Sequence, residues 1–247
     1  MPRQLRMALI AGFIFLPALA HAQTAQEQTT QNQTTQNQVS ATPRFVVVID
    51  AAHGGDDAGA RLASELEKNY TLALSVRLRS LLMARGFAVV TTRESDVTVD
   101  ANRRAEIANH ANAGACVSLH AAVSGVKSES SATSAPAAHV FVSSLPAVEG
   151  ARFLPWNTAQ SGWVTRSVAL AGVVNSALTH AGMTVTLGRT ALLAIDSMTC
   201  PAVAVEIVPE QTANASGQDG SGVQAQVAEA LAAALVEWRS GEMGGRQ

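Results

Sequence analysis

Basic charge is in no surplus in this chain. Its 17 Lys and Arg face 19 Asp and Glu, for a net charge of −2, whereas a nucleic-acid binder normally carries a basic excess or stripe. Charge of either sign is sparse, 15% of residues against 47% apolar. A disordered chain shows the reverse balance, so this one can build a core. No apolar run reaches the roughly 20 residues that span a bilayer; the longest, Met7 to Ala20, has about 14. The helix-borne zinc motif H-E-x-x-H is absent, which excludes metalloproteases of that kind. Cysteine occurs only at Cys116 and Cys200.

What is present begins with an address. Arg3 and Arg6 precede the apolar run, and Ala20-His21-Ala22 is a small-x-small cleavage site, so residues 1–22 read as a secretory signal peptide. The mature protein is therefore expected outside the cytoplasm, in a periplasm or cell-wall space, with no transmembrane segment. Gln23 to Thr42 holds seven Gln and six Thr, with Thr-Thr-Gln-Asn-Gln repeated at 29–33 and 34–38. Such a stretch has little to bury and cannot repay the entropy of folding. Residues 23–43 are expected to be a disordered linker, and 240–247, with three glycines, a flexible tail. One domain, 44–239, remains.

Within it, apolar runs alternate with helical spacing. Phe45 to Ile49 reads as a buried strand, and Leu66, Tyr70, Leu74, Leu78, Leu81 and Leu82 as one face of a helix ended by Gly86. Strands are expected at 87–91, 115–119, 138–142 and 202–207. Helices are expected from the Asp100 cap to Asn109, from Val164 to Leu178, and from Val223 to Trp238. This order predicts an α/β fold: a single domain with a mostly parallel twisted sheet and helices on both faces. Sheets of this kind place their sites beyond the carboxyl ends of the strands.

Three strand ends carry residues that bind metal or move protons. His53 follows the first strand in a glycine-rich loop, His120 closes Ser118-Leu119-His120, and Glu206 lies in the last apolar strand. Glu67 opens the helix after the glycine loop. Two imidazoles and a carboxylate suit a zinc site that keeps one position open, and zinc there lowers the pKa of water toward about 7 and polarises a carbonyl. Each residue also has a plain structural use. His53 can cap a turn, His120 can be a hydrogen-bonded strand-end histidine, and Glu67 can favour the positive end of its helix. Glu206 is the hardest to explain so, because an unpaired buried carboxylate is costly.

The stretch Val48-Ile49-Asp50-Ala-Ala-His53-Gly-Gly-Asp-Asp57-Ala-Gly59-Ala60, followed by Glu67-Lys68, resembles the opening motif of zinc-dependent N-acetylmuramoyl-L-alanine amidases of the bacterial cell wall. Thr92-Arg93-x-x-Asp96, Arg104 with Ala108-Asn109, Val117-Ser118-Leu119-His120 and Pro201-Ala-Val-Ala-Val-Glu206 continue the likeness in the family's order. The resemblance implies that His53, Glu67 and His120 hold one zinc ion and that Glu206 handles the proton. Glu65 is the rival for the second ligand, but Glu67 directly precedes the lysine. Asp50 and Asp57 are then organisers of the loop, either able to orient an imidazole. Arg104 either meets a substrate carboxylate or pairs with an Asp, the structural role being favoured.

The implied reaction is hydrolysis of the amide between N-acetylmuramic acid and L-alanine in peptidoglycan, the implied partner. A non-catalytic wall-binding module on the same fold, or a zinc amidase or peptidase acting on another wall-derived substrate, are the alternatives. The sequence names no protein activator. This chain departs from the family pattern at Ala52, at Ala121-Ala122 and at Ile207-Val208-Pro209, none of which removes a candidate ligand. The interval between Phe141 and Ser161 is short for a long inhibitory helix, so none is expected, and Ser124 to Ala138 is expected to be a surface loop. His110, His139 and His180 have no motif context and are expected at the surface or at helix ends. For the two cysteines, export makes a bridge possible, and buried free thiols are the alternative.

Overall fold

The computed structural model describes residues 44–62, 65–123, 136–150, 153–209 and 220–244. The expected leader, the linker and most of the Ser124–Ala138 loop lie outside the described residues. Six strands form one sheet in the order β2-β1-β3-β6-β4-β5. They are β1 Val46–Ala51, β2 Ala88–Thr91, β3 Ala115–Ala121, β4 Ala137–Ser143, β5 Thr184–Thr190 and β6 Ala202–Val208. All neighbours pair parallel except β4 and β6, which run antiparallel. The helices are α1 Glu67–Ala84, α2 Ala101–His110, α3 Val164–His180, α4 Leu193–Asp196 and α5 Gly220–Gly244, with a 3-10 helix at Trp156–Gly162.

The two faces of the sheet are covered unequally. Val47, Ile49, Val117, Leu119, Val140, Val203, Val205 and Ile207 pack with apolar side chains of α1, α3 and α5 into one large core. The other face carries a smaller cluster, in which Val48, Cys116, Ala202 and Ala204 meet Ala105 and Ala108 of α2 and Ile195 and Met198 near α4. β1 is buried on both faces from Val47 onward, as its unbroken β-branched run requires. β4 instead alternates, with Ala138, Val140 and Val142 buried and Ala137, His139 and Phe141 half-buried. Among the described residues, helices therefore cover one face broadly and the other in part.

Local chemistry sets several boundaries. The Asp100 carboxylate accepts from the Arg103 backbone N–H at 2.8 Å and starts α2. Gly86, at φ +82°, ends α1. Four features differ from the sequence expectation. β5 and α4 were not foreseen, because β5 is a largely exposed edge strand and α4 is a single turn. β4 begins at Ala137, inside the stretch expected to be loop. The last helix runs to Gly244, into the segment expected to be a tail, and Glu242 there pairs with Arg166 of α3. Cys116 and Cys200 form a disulfide, which ties β3 to the segment leading into β6.

Candidate metal centre

His53 follows β1 in a turn that closes on itself, with Gly54 N–H donating to the Asp57 carbonyl at 2.8 Å and Asp57 N–H to the Gly54 carbonyl at 3.2 Å. The turn puts His53 at φ +61°, in the left-handed region, which costs a residue with a Cβ of the order of 1 kcal/mol. Neighbouring groups over-determine that geometry. Arg104 donates to the His53 carbonyl at 2.8 Å and to the Ala51 carbonyl at 2.7 Å. Arg93, itself buried, donates to the Ala51 and Ala52 carbonyls and to that of Lys68. Burial, and the positive charge of Arg104 nearby, lower the pKa of Arg93. Ala52, one of the departures from the family pattern, lacks a positive φ and accommodates its methyl in the core.

Glu67 is the first residue of α1, where a carboxylate suits the positive helix end. Its Oε2 accepts from the Ala60 N–H at 2.9 Å, and its Oε1 from the Ala121 N–H at 3.1 Å. The same Oε1 lies 3.1 Å from His53 Nε2 and 3.1 Å from His120 Nδ1. Donor atoms of His53, Glu67 and His120 all fall within 4.8 Å of one another. Glu65, the rival position, is not in that group. Gly59 permits the convergence, since a Cβ there lies 2.6 Å from His53 Cδ2 and 2.7 Å from Glu67 Oε2.

Charge follows this geometry. Burial alone raises the Glu67 pKa, but hydrogen bonds with His120, His53 and the two backbone amides outweigh it and hold the carboxyl well below its ordinary value. The His53 pKa is raised chiefly by its hydrogen bond to Glu67, against desolvation and with help from Asp57. Asp57 meets His53 Nδ1 at 2.8 Å, which leaves Nε2 facing Glu67 as a ligand nitrogen must. The Asp57 carboxyl is slightly desolvated, yet its bonds with His53 and Gly59 lower its pKa. Two imidazoles and one anionic carboxylate, with an orienting acid behind one ring, fit a zinc donor set.

Beneath the centre lies a buried polar cluster. Asp50 accepts from Thr92 Oγ1 at 2.7 Å, from Ser118 Oγ at 2.7 Å and from Arg104 Nη1 at 2.5 Å. Asp50 therefore touches no imidazole; it acts on His53 through Arg104, and of the two aspartates only Asp57 contacts a ring. Arg104 is likewise spent on Asp50 and backbone carbonyls. Ser118 and Thr92 stand in the motif blocks, but their role in satisfying Asp50 depends on β3 and β2 flanking β1 on its two sides.

Glu206 lies on β6 directly opposite His120 of β3, and neighbouring residues at one register level point to the same sheet face. Glu206 is half-buried, and this register makes it the neighbour of one of the three donors. On the other side of Glu206, in the same register, is His139, half-buried in the middle of β4 rather than at the surface or a helix end as its lack of motif context suggests. The alternation of β4 about Val140 is the pattern that could have marked it.

A cleft of about 490 Å³ opens from His53 and His120, over Asp50, Ser118 and Ala204, to the 191–195 segment. That wall is fastened from behind: buried Gln160 donates to the Met198 carbonyl at 2.9 Å and the Cys200 carbonyl at 3.2 Å. Leu193, 83% exposed, stands on its rim.

Residues 47–237 match the N-acetylmuramoyl-L-alanine amidase family (Amidase_3). A stretch of 51 residues is 43% identical to the germination-specific N-acetylmuramoyl-L-alanine amidase of Bacillus subtilis, covering 21% of this chain and 22% of that protein. Another of 61 residues is 41% identical to the probable cell wall amidase LytH of Staphylococcus epidermidis, covering 24% of this chain and 21% of that protein. These matches span about a fifth of the length of the curated relatives. Among solved structures, the catalytic domain of CwlV, an N-acetylmuramoyl-L-alanine amidase from Bacillus (Paenibacillus) polymyxa var. colistinus, aligns with TM-score 0.60 at 25% identity, over 79% of this chain and 98% of that one. The amidase AmiC2 of Nostoc punctiforme shares the fold, with TM-score 0.61 at 24% identity over 81% and 99% of the two chains. With most of its folded region matched and its donor residues brought to one point, the chain belongs to the N-acetylmuramoyl-L-alanine amidase family.

Proposed function

We propose that this protein is a zinc-dependent amidase that hydrolyses the bond between N-acetylmuramic acid and L-alanine in peptidoglycan. The observation that carries the reading is the convergence of His53, Glu67 and His120 on one point, with Glu206 one strand away. His53 Nε2, Glu67 Oε1 and His120 Nδ1 are the atoms that would hold the ion. Zinc, when bound, supplies Lewis acidity: it polarises an amide carbonyl and makes water a stronger acid at neutral pH.

The chain's own groups do the rest. Asp57 holds the Nδ1–H of His53 and keeps its ring in the ligating orientation. Arg104 and Arg93 hold the loop carbonyls, so the left-handed His53 does not relax. The Glu206 carboxylate takes the proton from the attacking water and returns one to the nitrogen of the leaving L-alanine. Asp50 and Arg104 neutralise each other below the site and are structural. The leader-like residues 1–22 and the cell-wall names of the relatives support action outside the cytoplasm, and no described helix is long and apolar enough to cross a membrane.

Digestion of purified peptidoglycan sacculi, with and without chelator, tests the reading. Stem peptides with free N-terminal L-alanine are expected from the zinc-loaded protein and not from the chelated one. Zinc-loaded protein that binds sacculi and leaves them intact overturns the amidase in favour of a wall-binding module.

A further inference from the structure

Four strands place a row of side chains on the thinly covered face, in register: His120 of β3, Glu206 of β6, His139 of β4 and Thr186 of β5. The mechanism uses the first two. The others, with Phe141 and Gly188 one register step along, form a surface of their own. His139 Nδ1 is hydrogen-bonded to the Thr186 hydroxyl, which fixes the imidazole. The Phe141 ring lies over Gly188, where a Cβ comes 2.8 Å from Cδ1 and Cε1; only glycine lets the ring rest across β5. The two rings stand 6.2 Å apart between centroids and are inclined by 34°; side by side on one face of β4, they form a tilted shelf. Both are half-buried, and Phe141 also packs against the cluster around Ile195 and Met198.

We propose that this shelf binds a saccharide, an N-acetylhexosamine ring stacking on Phe141 and His139 beside Glu206. A pyranose presents a face of C–H groups and a rim of hydroxyls. The rings match the first, and Thr186 with His139 Nε2 matches the second. Charge argues the same way. Apart from the imidazole, the only ionisable residue on β4 and β5 is Arg189, which alternates to the opposite face beside Val142 and donates to the Ser143 and Leu145 carbonyls. The stem peptide, with its carboxylates, finds no fixed counter-charge here, whereas a neutral sugar needs none. The shelf lies two strand spacings from His120, about 10 Å, so a sugar on it is continuous with an amide at the metal centre. The choice of sugar rests on the proposed function, and places the glycan across β4 and β5 and the peptide toward the cleft under Leu193.

Titration of the full chain with chitotetraose, a neutral oligomer of N-acetylglucosamine without peptide, tests the shelf apart from hydrolysis. Saturable binding is expected by NMR. Phe141→Ala and His139→Ala are each expected to weaken it about five-fold or more and to raise KM for sacculi more than they lower kcat. Leu187→Ala, on the other face of β5, is expected to bind like the wild type. Should Phe141→Ala fail to fold, the more superficial His139→Ala carries the test. Absence of saturable binding by the wild type, or equal binding by both ring variants, overturns the shelf. Binding without hydrolysis of sacculi upholds the shelf and sinks the amidase; hydrolysis without binding does the opposite.

Discussion

The two faces of the sheet are made from the same strands and do opposite work. On one, Val47, Ile49, Leu119, Val205 and Ile207 disappear under α1, α3 and α5. On the other, residues one step along the same strands are Asp50, Ser118, His120 and Glu206, and among the described residues α2 and the short α4 lie above part of them. A strand alternates its side chains, so one backbone can anchor a fold and display chemistry at once. The covered face gains stability from apolar burial, where a polar group without a partner is costly. The open face can hold carboxylates and imidazoles because each meets a partner or solvent. The difference teaches that stability and chemistry here are largely separable by sheet face, with two exceptions: Glu67, a donor carried by α1 of the covered side, and Asp50 with Arg104, where a buried ion pair joins the two.

Glu206→Gln gives the sharpest separation. Hydrolysis is expected to fall by about 10³-fold or more, while zinc stays near one per chain and the melting temperature barely moves. Loss of zinc on metal analysis means that Glu206 is a ligand and its role is misassigned. Arg104→Ala breaks the separation, because it strands the Asp50 carboxylate and frees the His53 carbonyl. A loss of about 3–5 kcal/mol in denaturant unfolding is expected, together with weaker zinc retention against a chelator. Leu231→Ala, fully buried under the covered face, is expected to cost about 2–5 kcal/mol and to leave zinc content per folded molecule unchanged. Altered metal content there means the faces are coupled through the core. Tyr70→Phe is the mildest. The Tyr70 hydroxyl is buried without a partner among the described residues, so its removal is expected to change stability by about 1 kcal/mol or less, in either direction. A larger loss on urea titration reveals a hidden partner for that hydroxyl.

Legibility followed the range of the interactions. β1, α1, the Asp100 cap of α2 and the apolar β6 were readable because their patterns are local: a β-branched run, helical spacing, an N-cap aspartate. Edge strand β5 was not, since Thr184-Val-Thr-Leu-Gly-Arg-Thr190 has no apolar run and is largely exposed, with Val185 its one residue against the core. The candidate centre was legible as residue types near strand ends, and motif spacing singled out Glu67 over Glu65. His139 was invisible as a site residue, because its relation to Glu206 exists only through the antiparallel pairing of β4 with β6.

The sequence alone determined which residues could carry metal chemistry, where most strands and helices run, and the likeness to a family, because these depend on side-chain types and spacing over a few turns. The tertiary structure decided that Cys116 and Cys200 join, that Asp50 serves Arg104 rather than an imidazole, and that His139 stands next to Glu206. Each of these is a meeting of residues tens of positions apart, fixed by sheet order and register, and no local pattern specifies either.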